Sequence, residues 1–123
     1  MYMLRYSFTF DAAHRLQLLP DTHKCSQLHG HTWKVTLVLQ SPKLNHYDFV
    51  IDFAEIKETW QKPLEQLMDH RCLNDSLIDM MQPTCENLAK YIFEHVVKQP
   101  AGHLLHAVEV QETEGHSVAY WEE

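Results

Sequence analysis

The chain has 123 residues, 45% of them apolar and 11% aromatic, which suits a single globular domain over residues 1–123 and excludes a disordered polymer. Its formal net charge of −7 argues against nucleic-acid binding, which needs a basic face, although a local pocket can oppose the global sign and take an anionic small molecule. No apolar run approaches the ~20 residues of a membrane span, the N-terminus has no signal-peptide core, and three cysteines without a secretory signal read as free thiols, so a cytoplasmic protein with no membrane association is expected.

Residues 2–14 alternate. Leu4, Tyr6, Phe8, Phe10 and Ala12 fall on one phase and Arg5, Ser7, Thr9 and Asp11 on the other, the pattern of a half-buried strand. Residues 31–40 alternate again, with Trp33, Val35, Leu37 and Leu39 on one face. A turn region, "QSPKLNH", follows, and 48–52 is expected as a short third strand. Asp52 then opens a helix, with Glu55 three positions on as in a capping box. Phe53, Ile56, Trp60, Leu64 and Leu67 form its apolar stripe, and Pro63 within that stripe is expected to kink it or end it early. Beyond the loop "MDHRCLND", a second helix starts near "PTCEN", capped by Thr84, with Leu88, Ile92 and Val96 inward, until "PAG" breaks it. Strands at 103–113 and 116–121, joined at Glu114-Gly115, finish the chain. Strands and helices cluster separately, so the expected class is α+β, an antiparallel β-sheet with two helices packed on one face.

Ten histidines is a high count for this length and prompts a search for metal ligands. Residues two apart in a strand point to the same face, so His29 and His31 can reach one ion together. His31 is in phase with Trp33 and Val35, and His14 continues the phase of Leu4 through Ala12. The inward face of the first strand therefore ends in a histidine, and that of the second begins with one. Antiparallel pairing brings those ends together. Three neutral imidazoles with one open position are a common catalytic zinc arrangement, although Fe, Co and Ni also accept such ligands. Cys25, four residues before His29, has two readings. As a fourth ligand it closes a structural site, and as a free thiol beside the metal it is a base or nucleophile.

Three further places carry chemistry. Asp69-His70 is an adjacent acid–imidazole pair that either tunes an acid–base group or is simply solvated. Glu112 ends the alternation Leu104, His106, Val108, Val110, so it points to the apolar side. There it needs a partner, such as a ligand edge rich in N–H donors, unless the strand emerges into solvent. Thr84 and Glu86 sit at a helix start, where capping and the helix dipole explain both. Cys72 and Cys85 read as small packed side chains.

The motifs "FDAAHRL" (10–16), "HKCSQLHGH" (23–31), "IDFAEIK" (51–57), "MDHRCLND" (68–75), "PTCENLA" (83–89) and "VQETEG" (110–115) occur in that order and span nearly the whole chain. Together they resemble the 6-pyruvoyltetrahydropterin synthase / 6-carboxytetrahydropterin synthase family. The three-residue gap between Cys25 and the His-Gly-His is similar to the bacterial 6-carboxy enzymes of queuosine synthesis, whereas the animal 6-pyruvoyl enzymes typically have a longer gap. The resemblance implies Zn2+ on His14, His29 and His31, Cys25 as catalytic thiol, and Asp69 and His70 as its acid–base partners. It implies Glu112 as anchor of the pterin's amino-pyrimidine edge, with Thr84 and Glu86 near the pterin. It further implies a pterin triphosphate substrate, the tunnelling fold, and a homo-oligomer, a hexamer, with active sites shared between neighbours.

Overall fold

The computed structural model describes residues 1–77, 79 and 82–123. Two long strands dominate it, β1 (Tyr2–His14) and β2 (His29–Ser41). They pair antiparallel along their whole length, from Tyr2 opposite Ser41 to His14 opposite His29. Strict alternation in both strands fixes this register, because a slip of one residue would turn every apolar side chain to solvent. Phe8, Phe10, Ala12, Trp33, Val35, Leu37 and Leu39 accordingly lie buried on one face.

Three further strands complete the sheet, in the order β3-β1-β2-β4-β5. β4 (Leu105–Gln111) and β5 (Val118–Tyr120) extend it antiparallel beyond β2. On the other side β3 (Arg71–Cys72) pairs with β1 in parallel, at Ala12 and Ala13. The α+β expectation thus holds, with one parallel pair in an otherwise antiparallel sheet. Among the described residues, β1 gains an outer-edge strand partner only at those two positions, and most of its outer edge is free of strand pairing.

The helices lie on the apolar face. Asp52 caps α1 (Phe53–Ile56), its Oδ1 accepting from the Ala54 N–H at 2.8 Å. A wider π-type turn, Lys57–Gln61, leads without a break into α2 (Lys62–Met68). Pro63 therefore neither ends nor breaks the helix. It follows directly on the wide turn, inside a continuous helical run. The wide turn also resets the buried stripe. Ile56, Trp60, Leu64 and Met68, spaced by four, are wholly buried, while Phe53 is 63% exposed and Leu67 only partly covered, contrary to the simple 3.6-residue pattern. The Trp60 indole N–H donates to the Pro100 carbonyl at 3.0 Å, so this large ring is buried with its polar atom satisfied.

A short α3 (Leu73–Ser76) follows β3. Then α4 (Cys85–Val97) is capped by the Thr84 hydroxyl, which accepts from the Asn87 N–H at 3.1 Å. Its inward residues Leu88, Ile92 and Val96 are wholly buried, as the spacing predicts. Two expectations fail. Residues 48–52 form bends with Asp48 in the left-handed region (φ 65°), not a strand. The alternation written through Leu104 and His106 breaks as well. Val38 pairs with Ala107 and Leu39 with Leu105, so His106 is an extra residue on β4, a bulge. Leu105 and Ala107 are buried while His106 is exposed. Beyond the bulge Val108 and Val110 are buried in the expected phase.

Candidate metal centre and acid–base pair

The register just described brings three imidazoles to one end of the sheet. His14 lies opposite His29, and His31 lies opposite Ala12, two residues along the same face. The rings of His14 and His29 are 4.6 Å apart, those of His14 and His31 5.3 Å, and those of His29 and His31 4.8 Å, all edge to face. Trp33 packs edge-on against His14 (4.8 Å) and His31 (5.6 Å) and closes the apolar side.

Backbone carbonyls orient two of the rings. Nδ1 of His14 donates to the Pro83 carbonyl and Nδ1 of His29 to the Gln27 carbonyl, each at 2.7 Å. A carbonyl can only accept, so both rings carry their proton on Nδ1 and keep a lone pair on Nε2. His14 is wholly buried. Burial pushes its pKa below the ordinary histidine range despite the nearby Pro83 carbonyl and Glu112 carboxylate. Burial lowers His31 in the same way, against the pull of Glu112. Nε2 of His14 and Nε2 of His31 are both buried without a hydrogen-bond partner among the described residues. Unsatisfied buried lone pairs are costly. A metal ion is the partner that suits neutral imidazole nitrogens aimed at one point.

The fourth member of the cluster is Glu112. One ligand atom each from His14, His29, His31 and Glu112 lie within 4.8 Å of one another. Glu112 Oε1 is 2.7 Å from His31 Nε2 and 3.9 Å from His14 Nε2. The short contact lacks hydrogen-bond geometry, so it is an electrostatic contact and leaves the His31 nitrogen unsatisfied. Its phase with Val108 and Val110 turns Glu112 inward, as the alternation implied. The cluster can hold a metal ion, and the residues present fit one.

Cys25 is not among those four. It is half-buried, a free thiol on a short 3-10 turn, Lys24–Ser26. The His23 ring caps this turn, Nδ1 accepting the Cys25 N–H at 3.0 Å. The Cys25 carbonyl accepts from the Leu16 N–H at 2.8 Å, which ties the turn to the chain just beyond His14. Among the described residues, the side chain whose ligand atom lies with the three imidazoles is the Glu112 carboxylate.

Asp69 and His70 stand together at the edge of the sheet. His70 Nδ1 is 3.0 Å from Asp69 Oδ1. Asp11 on β1 clamps the pair through its backbone. Its N–H donates to Asp69 Oδ1 at 3.1 Å and its carbonyl accepts from the His70 N–H at 2.6 Å. The Asp11 N–H, helped by the His70 ring, holds the Asp69 carboxyl below its ordinary range. His70 adopts the left-handed conformation (φ 57°), unfavourable for a residue with a Cβ and common at functional sites. Its ring is 79% exposed. Together with Arg71, Asp11, Gly30, Thr32 and His31, it borders a cavity of about 500 Å³. Thr84 is occupied with capping α4, and Glu86 is exposed in the first turn of that helix.

Sequence reasoning missed the carbonyls of Pro83 and Gln27 and the capping ring of His23. Backbone carbonyls have no residue signature. His23, two residues before Cys25, could have been found as a cap for the thiol's turn.

Three histidines, two of them with tautomers fixed by backbone carbonyls, converge at the end of a half-buried sheet and define an α+β scaffold with a candidate metal centre. Comparison with known proteins narrows that class: residues 3–123 match the family described as 6-pyruvoyl tetrahydropterin synthase, and the chain belongs to it. It is 34% identical over 117 residues to a 6-carboxy-5,6,7,8-tetrahydropterin synthase of Synechocystis, covering 92% of this chain and 88% of that one. It is 29% identical over 127 residues to a 6-pyruvoyl tetrahydrobiopterin synthase of Drosophila melanogaster, covering 91% and 74%. The solved 6-pyruvoyl tetrahydropterin synthase of Caenorhabditis elegans superposes with a TM-score of 0.88 at 25% identity, over 99% of this chain and 96% of that one. The fold is the tunnelling fold of these pterin synthases.

Proposed function

We propose that this chain is a zinc-dependent 6-carboxy-5,6,7,8-tetrahydropterin synthase. It converts 7,8-dihydroneopterin triphosphate to 6-carboxytetrahydropterin with release of acetaldehyde and triphosphate, and it serves queuosine biosynthesis in the cytoplasm. The observation that carries this reading is the trio of imidazoles with two buried, unpartnered Nε2 atoms. The 34% identity to a 6-carboxy enzyme supports the choice of reaction, as does the short gap between Cys25 and His29.

His14, His29 and His31 would hold the zinc, which when bound supplies Lewis acidity toward the substrate's side-chain hydroxyls. The chain's own groups divide the remaining work. Cys25 thiolate accepts a proton from the substrate side chain. His70 gives or relays one, with Asp69 orienting its ring. The carboxylate of Glu112 accepts from the N–H donors of the amino-pyrimidine edge, which places the reacting carbons. Thr84 and Glu86 border the pterin at the start of α4. The edge of β1, mostly free of strand pairing among the described residues, supports a homo-oligomer, because unpaired strand edges invite a further chain, and the family resemblance makes that a hexamer.

The test is product analysis. Zinc-loaded protein incubated anaerobically with 7,8-dihydroneopterin triphosphate should yield acetaldehyde and a carboxylated pterin. Absence of turnover overturns the reading. The 29% identity to a 6-pyruvoyl enzyme favours a second reading, triphosphate elimination without side-chain cleavage, which product mass separates from the first.

A further inference from the structure

Glu112 is gripped from a side that its proposed role does not use. Cys85, the first residue of α4, donates its thiol to Glu112 Oε2 at 3.6 Å. This contact links the first turn of α4 to the residue just past the end of β4. The other carboxylate oxygen, Oε1, is the one 2.7 Å from His31 Nε2. The two oxygens thus have different neighbours, and the side chain cannot rotate without breaking the sulfur contact.

We propose that Cys85 is a positioning residue for Glu112, its thiol fixing one carboxylate oxygen so that the carboxylate faces the ring edge of a bound pterin. This rests on the reading of Glu112 as the pterin anchor. The choice of a thiol has a physical logic. A lysine or arginine in that place would hold Glu112 more strongly but would neutralise it, removing its attraction for N–H donors. A thiol is a weak, uncharged donor that orients without neutralising. Packing alone would need only a small apolar side chain and would not require a donor aimed at the carboxylate.

Three variants test it, Cys85→Ala, Cys85→Val and Cys85→Ser, each in zinc-loaded protein. Binding of unsubstituted pterin is followed by its fluorescence, and turnover of 7,8-dihydroneopterin triphosphate by kcat and KM. The Ala and Val variants should weaken pterin binding and raise KM about tenfold, the scale of one hydrogen bond to a charged acceptor, with a smaller change in kcat. The Ser variant, which restores a donor, should recover binding to within about twofold of wild type. Unchanged binding in Cys85→Ala, or a Ser variant as impaired as the Ala variant at equal melting temperature, overturns the proposal. A ligand-free readout separates its failure from that of the functional reading. The Cys85 S–H infrared band, identified by its loss in Cys85→Ala, should move to higher frequency in Glu112→Ala. If wild type neither binds pterin nor turns over, the functional reading fails, and this band still decides whether the grip exists. A band that does not move overturns the proposal.

Discussion

The histidine end of β1–β2 and the Asp69–His70 corner place imidazoles by opposite means. At the first, strand register, Trp33 and two carbonyls hold the rings, that of His14 wholly buried and those of His29 and His31 partly so, and among the described residues the buried Nε2 atoms of His14 and His31 have no hydrogen-bond partner. At the second, two backbone bonds from Asp11 hold an exposed ring on a left-handed residue, already paired with a carboxylate. The first arrangement suits a group that must stay neutral and fixed. The second suits one that exchanges protons with whatever docks beside it. A histidine's burial and the partner of its second nitrogen therefore separate ligand from acid–base group more clearly than its neighbours in sequence do.

The comparison can be broken most severely at His14. Replacing it by Ala should lower zinc affinity at least about a hundredfold and abolish turnover, as read by metal content after dialysis against a weak chelator. Full metal retention would mean that the buried nitrogens serve packing alone. Cys25→Ala probes the group that belongs to neither region. Turnover should fall about a thousandfold while metal content and melting temperature stay close to wild type. Loss of metal in that variant would return Cys25 to the donor set.

Acid should separate the two regions in the metal-free protein. His14 and His31 are depressed by burial, so the stability they contribute is fully present above the ordinary histidine range of ~6.5 and is lost as pH falls through their lower folded values. Asp69 is also depressed, but its contribution is lost only below the ordinary carboxylate range of ~4. Melting temperature of the chelated protein should therefore be flat above about pH 7 and fall as pH drops below about 6.5, a fall to which the Asp69 corner adds nothing until the carboxylate range is reached. A flat profile there would contradict the neutral, buried state of the histidines. The smallest effect is expected at His70. His70→Gly removes a Cβ from a left-handed backbone and should change stability by no more than about 1 kcal/mol, on the stabilising side, while turnover is lost. Thermal unfolding alongside the turnover assay reads both.

Much of the site was legible because it rests on alternation. The phases of residues 2–14 and 31–40 were enough to put His14, His29 and His31 on one face, and the phase of Val108 and Val110 did the same for Glu112. The sequence was less informative where geometry depends on backbone spacing. The π-type turn that moves the buried stripe to Met68 leaves no residue signal, and neither does the parallel pairing of two residues, Arg71 and Cys72, with β1. The carbonyls of Pro83 and Gln27 decide the tautomers of His14 and His29, but any residue type has a carbonyl. Cys85 was read as packing because its partner lies 27 residues away on another element, a distance no local pattern spans.

The extra residue at His106 has a consequence for how this chain can change. It takes up the mismatch between the segment leaving α4 and the pairing with β2, much as an expansion joint isolates two spans of a bridge. A change of one residue in β4 near His106 is expected to alter this bulge first, while Val108 through Gln111 keep their partners. The carboxylate of Glu112 would then stay at its station through length changes that would otherwise turn it to the opposite side of the sheet.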